Sequence, residues 1–140
     1  MIINSYKKYL FCDSIEVYSN LGFIKKQQCN YIARADSAFE FTKGIKIGYG
    51  KVDSLRNKTG AWIELHLNGT FRSKGIYQNG SRIGNWIYYY SNGNIEQKGN
   101  YDKKGRPQGV WEWFYESGKP YRTENFKNGM RYGDVIDYNE

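Results

Sequence analysis

Side chains able to run acid–base or nucleophilic chemistry are few in this chain. His66 is its single histidine, and Cys12 and Cys29 are its two cysteines. A catalytic nucleophile needs a base poised near neutral pH within hydrogen-bond reach. His66 shares a column with Phe41, Tyr90 and Tyr115, spaced 24 or 25 residues apart, so it reads as a ring filling a structural place. No Cys-x-x-Cys, histidine pair or acidic cluster suggests a metal. Gly48-Tyr49-Gly50 lacks the Gly-Lys-Ser/Thr of a phosphate loop and leads into no helix pattern. A pair of carboxylates for glycoside chemistry can be assembled from Glu64, Glu112 or Glu116, but their spacing singles out none. The expectation is therefore no catalytic residue, no metal and no cofactor: not an enzyme.

The remaining chemistry is that of rings and charges. Aromatics make up 18% of the 140 residues, glycines number 16 and prolines 2. This mix excludes collagen, a proline-rich linker and a disordered tail, since disorder goes with few aromatics. It also argues against a helical bundle, because glycine and β-preferring rings are poor helix material. The length suits one domain. Lys and Arg outnumber Asp and Glu by 21 to 14, a net charge of +7. Such a balance suits an acidic partner, whether nucleic acid, anionic lipid or an acidic protein face, or else serves solubility alone. No apolar run approaches the roughly 20 residues that span a bilayer. The first ten residues lack the basic-then-apolar order of a secretory signal, so a cytoplasmic location is expected.

The positioning elements follow from an internal repeat. Gly44, Gly69, Gly93 and Gly118 recur every 24 or 25 residues, as do Gly60, Gly84, Gly109 and Gly133. Trp62, Trp86 and Trp111 follow the first three of the second set by two places. Gly50, Gly75 and Gly99 form another column, in which Glu124 takes the next place, and Val52, Tyr77, Tyr101 and Phe126 form one more. Units fall near residues 11–34, 35–59, 60–83, 84–108 and 109–132, with a partial unit at 133–140. The whole of 1–140 is then one repeat domain with no linker.

Each unit alternates apolar and polar residues and breaks at turn pairs. Lys43-Gly44, Asn68-Gly69, Asn92-Gly93 and Ser117-Gly118 lie within units; Asn79-Gly80, Lys104-Gly105 and Asn128-Gly129 lie between them. Asn-Gly favours the two-residue type I′ hairpin. Two turns per unit predict an all-β fold: a single-layer antiparallel meander of about ten or eleven strands, built from repeated hairpins of roughly 24 residues. Two-residue turns set Trp62 opposite Gly75 and Trp86 opposite Gly99, an indole covering bare backbone. They also set Trp113 opposite Arg122, a candidate cation–π pair, and Glu124 opposite Trp111. In the first hairpin, with Asn20-Leu21 as its turn, Cys12 faces Cys29. These are either reduced thiols filling the place of a missing indole or, in an exported protein, a cross-strand disulfide. Parity assigns one face to Trp86, Tyr88, Trp111, Trp113, Phe71, Tyr77, Tyr101 and Phe126, the expected core side. The other face receives Ile63, Leu65, Ile87, Tyr89, Phe114 and Tyr121 among Arg72, Lys74, Lys98 and Thr123.

At Gly84, Trp86, Tyr89, Tyr90, Asn92, Gly93, Ile95, Gly99 and Tyr101 the chain resembles the MORN repeat, in the bacterial variant of YwqK-type proteins. The resemblance is strongest over 60–108, fair over 109–132 and positional before residue 60. It implies an elongated one-layer sheet and non-catalytic binding of proteins or, in some members, of acidic lipids. Many YwqK-type chains are described as antitoxin components, and similar small proteins act as immunity proteins. The expected function is thus a protein-binding module that neutralises a toxin or effector by docking and occlusion. Tyr89, Phe114 and Tyr121 are the expected anchors, and Arg72, Lys74 and Lys98 are expected to select an acidic protein surface. Nucleic acid or anionic lipid is the alternative partner, and a structural spacer that self-associates through open strand edges is a third reading.

Overall fold

The computed structural model describes residues 15–19, 22–27, 31–34, 37–55 and 57–140, and side chains from Ala38 onward. These residues form twelve strands: β1 (Ile15–Ser19), β2 (Gly22–Gln27), β3 (Tyr31–Arg34), β4 (Ser37–Thr42), β5 (Ile45–Val52), β6 (Lys58–Leu65), β7 (Phe71–Gln78), β8 (Ser81–Tyr89), β9 (Ile95–Tyr101), β10 (Pro107–Phe114), β11 (Pro120–Lys127) and β12 (Met130–Asp137). Strands β3 to β12 form one ten-stranded sheet in sequence order, and β1 pairs with β2 in a separate ribbon. Every paired neighbour is antiparallel. The expected all-β meander of hairpins is the observed fold. Cys12 and Cys29 lie outside the described residues.

The within-unit turns differ from the expectation in a systematic way. Lys43, Asn79 and Asn128 have positive φ before their glycines, as type I′ turns require. At 68–69, 92–93 and 117–118 only the glycine is left-handed. There His66, Tyr90 and Tyr115 pair through backbone hydrogen bonds with Thr70, Asn94 and Lys119, which leaves loops of three residues. Asn68 and Asn92 do not supply left-handed backbone. Their Oδ1 atoms accept the N–H of Thr70 and Asn94, at 3.1 and 2.9 Å, locking the loop from its side chain. The Lys104-Gly105 loop is built alike: only its glycine is left-handed, and Asp102 Oδ1 accepts from the Lys104 and Arg106 N–H groups.

A three-residue loop moves the register by one, and a bulge in the following strand moves it back. Leu65 pairs with Phe71 but Glu64 with Ser73, which leaves Arg72 unpaired. Glu96 and Tyr121 are the corresponding extra residues of the next two hairpins. Beyond each bulge the predicted pairs are present: Trp62 with Gly75, Trp86 with Gly99, Trp113 with Arg122 and Trp111 with Glu124. Between the bulge and the turn the parity is inverted. Phe71, expected on the core side, packs instead against the Tyr89 ring at 6.4 Å on the opposite face.

The indoles pack across hairpins and not onto the glycine facing them within a hairpin. A Cβ placed on Gly50, Gly75 or Gly99 would overlap the ring of Trp62, Trp86 or Trp111 respectively, each belonging to the next hairpin. Each indole crosses that glycine and donates its Nε1–H to the carbonyl one residue further on: Trp62 to Lys51 at 2.6 Å, Trp86 to Ile76 at 3.2 Å, Trp111 to Asn100 at 3.2 Å. Trp62, Trp86 and Trp111 are 1%, 0% and 4% exposed, so this stacking is the core. It also accounts for Glu124. Where Trp would stand in the next unit the chain has Val135, paired opposite Glu124, so no indole requires a glycine there.

Gly99→Ala is expected to cost about 1–3 kcal/mol, the usual penalty of overpacking a tight core. Urea unfolding should show that cost largely vanish in a Trp111→Ala background, whereas a Trp86→Ala background should leave it intact.

Candidate protein-binding face

The ladder pairs carry one row of side chains across the second face: Ile63, Lys74, Ile87, Lys98, Glu112 and Thr123, on β6 to β11. Lysine alternates with isoleucine along most of that row. The Lys74 ammonium lies 5.4 Å from the Tyr89 ring centre, and that of Lys98 lies 5.4 Å from the Phe114 ring. Lys46 repeats the arrangement over Phe39 and Tyr49, at 5.7 and 5.3 Å. Four of the six expected anchors and selectors, Lys74, Tyr89, Lys98 and Phe114, therefore stand together as two repeated cation–ring pairs. Lys98 is also bound to Glu112 at 3.0 Å.

The other two are placed differently. Arg72 is the exposed bulge residue and has no ion pair among the described residues. Tyr121, another bulge residue, packs against Tyr115 at 5.1 Å with the Arg122 guanidinium over its ring. It stands with those two and not beside Tyr89 or Phe114. The sequence reading also missed contributors to this face. Phe71 was assigned by uninterrupted parity, and Ile76 and Val110 were not singled out; the three are 50%, 47% and 53% exposed. Beside Val110 lies a shallow depression of about 300 Å³, lined also by Asn85, Ile87, Lys98, Asn100 and Glu112. Asn100 donates to Asn85 at 2.9 Å on its floor.

The first face is different in kind. Rings run along it from Trp62 through Tyr77, Trp86, Tyr88 and Tyr101 to Trp111, at centroid separations of 5.0–6.5 Å. Its charges close on one another. Glu64 accepts from Ser73 Oγ at 2.6 Å and Tyr77 OH at 2.8 Å, and pairs with Lys58 and Arg82 at 3.4 and 3.3 Å. Glu124, 3% exposed, is held by Arg122 and Arg131 at 3.4 and 2.9 Å. The expected Trp113–Arg122 cation–π pair is absent although the two residues face each other. Asp137 and Glu124 draw the guanidinium away, because an ionic hydrogen bond outweighs a ring contact.

His66 is a staple. Its Nε2 lies 2.8 Å from the Tyr89 carbonyl of the next hairpin, and Tyr90 and Tyr115 make the same reach to Phe114 and Tyr138 carbonyls. Among the described residues no group of three or more metal-ligating side chains could hold an ion. No helix among them is long and apolar enough to cross a membrane.

Two successive stretches, residues 82–103 and 107–128, match the family of the MORN repeat variant. Residues 82–128 are thus MORN-like repeats. They cover β8 to β11. Repeats of this family are generally non-catalytic binding modules. No curated protein shows a significant match to the chain.

Burial opposes the Glu64 charge, but the hydrogen bonds from Ser73 and Tyr77 and the charges of Lys58 and Arg82 outweigh it, so its pKa lies below the usual 4.5. A carboxylate depressed in the folded state contributes stability above its unfolded pKa and loses it as pH falls through the folded value. Stability should therefore decline on acidification below about pH 4.5. Denaturant titrations of Glu64→Gln should show a lower plateau near neutrality and a shallower acid decline.

Proposed function

We propose that this protein is a non-catalytic, cytoplasmic binding module whose second face docks an acidic surface of a partner protein. The biological role that fits is that of an antitoxin or immunity protein, covering the working surface of a toxin or effector without altering it chemically. The observation that carries this reading is the repeated pairing of a lysine with a ring at Lys74–Tyr89 and Lys98–Phe114, set among exposed Phe71, Ile76 and Val110.

The physical case rests on what a docking site needs. Apolar and aromatic anchors supply binding energy, and charges select the partner. Lysine stems lie along apolar surface while their ammonium groups stay wet. A sheet tied strand to strand does not reorganise on binding, which spares the ordering cost that weakens flexible interfaces. A contact of roughly 800 Å² per partner is of ordinary size for a specific complex. Phe71, Tyr89 and Phe114 would be its centre, with Lys74 and Lys98 over them and Arg72 at its rim.

The test is co-expression with the product of the adjacent reading frame, followed by affinity measurement and a toxicity assay. Tyr89→Ala and Phe114→Ala should each weaken binding by about tenfold or more, the effect of losing an interface anchor. Lys74→Glu with Lys98→Glu should abolish protection. Full affinity in all these variants overturns the reading. A steep fall in affinity between low and moderate salt would instead favour a phosphate-bearing partner, lipid or nucleic acid.

A further inference from the structure

The first face contains one aromatic cage twice, and among the described residues only one copy holds a cation. In the filled copy, the Arg82 guanidinium carbon lies 4.8, 5.7 and 5.9 Å from the ring centres of Trp86, Tyr88 and Tyr77. One repeat later the same three places hold Trp111, Trp113 and Tyr101. The ring geometry is almost superimposable. Tyr77 and Trp86 are 5.0 Å apart at 84°, and Trp86 and Tyr88 are 6.0 Å apart at 32°. Tyr101 and Trp111 are 5.1 Å apart at 82°, and Trp111 and Trp113 are 6.1 Å apart at 34°. In place of Arg82 the second copy has Pro107. We propose that this second cage receives an arginine side chain of a partner protein.

Three observations support the assignment. First, the column position normally carries a cation: Lys58 lies 4.4 Å over Trp62, and Arg131 occupies the place after Pro107. Second, neighbouring arginines are already committed. Arg106 is bound to Asp102, Arg122 to Asp137 and Glu124, and Arg131 to Glu124. Third, the Trp113 indole N–H has no acceptor among the described residues, whereas Trp62, Trp86 and Trp111 all donate theirs to backbone. Trp113 is half-buried, so its ring keeps an open surface.

The chemistry selects a guanidinium over an ammonium. Arg82 is neutralised by Glu64, but the residue in Glu64's column one repeat on is Tyr88. Its hydroxyl, 2.9 Å from that of Tyr101, can accept a hydrogen bond and offers no charge. Glu124, opposite Trp111, is already held by Arg122 and Arg131, which leaves the rings to favour the planar, weakly hydrated guanidinium, which stacks, over the strongly hydrated ammonium. The site lies on the face opposite Lys74 and Lys98 and stands independently of the reading given for that face.

The experiment follows the four indole N–H resonances of 15N-labelled protein during titration with N-acetyl-arginine amide. The expected result is a saturable shift at Trp113 with Trp62 and Trp86 unmoved. N-acetyl-lysine amide should bind more weakly. Pro107→Arg supplies the missing cation internally and should weaken the arginine response by about tenfold or more, as expected for a partly desolvated cation–π site. An unsaturable response, equal shifts at all indoles, or an undiminished response in Pro107→Arg overturns the proposal. Tighter binding of tetramethylammonium than of the arginine probe also overturns it, making the cage a small-cation site. If Pro107→Arg loses the native Trp62 and Trp86 resonances, Trp113→Leu supplies the contrast: a retained arginine response at Trp111 is then fatal.

Discussion

A sheet of one layer has no second layer to cover its apolar face, and its residues must solve that problem among themselves. Here the solution is an indole laid across the backbone of the preceding hairpin. The contact is close enough that no side chain fits beneath it, so Gly50, Gly75 and Gly99 are obligatory. The indole N–H then ties to the next carbonyl, which joins successive hairpins by a directional bond as well as by burial. Each hairpin is thus completed by its successor, as in other linear repeat proteins, whose stability resides in nearest-neighbour interfaces. The same dependence explains the change at Glu124. The next unit supplies Val135 and no indole, and a carboxylate gripped by Arg122 and Arg131 fills the place.

Cations complete the cover. Lys58 and Arg82 lie flat over the rings of the first face and are neutralised there by Glu64 and Glu40. Their aliphatic stems do part of the work of a missing layer, and their charges remain paired near the surface. The second face is not closed in this way. Its lysines also sit over rings, but Phe71, Ile76 and Val110 remain about half exposed. The two faces therefore differ in kind: one buries Trp62, Trp86 and Trp111 beneath paired charges, and the other keeps half-exposed apolar side chains. That difference, together with the MORN-type repeats over residues 82–128, supports recognition as the work of this sheet.

Much of this was legible in the residues. The column spacing of Gly, Trp and Tyr, with turn pairs at fixed offsets, specified a meander and even the pairs Trp62–Gly75 and Trp86–Gly99. The shared face of Lys74, Lys98, Tyr89 and Phe114 was legible too, because strand parity holds over the middle of each hairpin. The misplaced residues, Phe71 and Tyr121, lie beside the turns. Parity fails there because a three-residue loop and a bulge cancel each other. The register beyond them looks as if neither existed.

The linear order of side chains thus determined the fold class, the repeat and the ladder partners, since these depend on local turn chemistry and on a period-two pattern. Three things were decided only by tertiary structure. These are which glycine each indole covers, which carboxylate captures Arg122, and which ring cluster carries no cation among the described residues. Each is a contact between successive hairpins, where several residues of similar chemistry compete for one neighbour and the sheet's geometry alone selects among them.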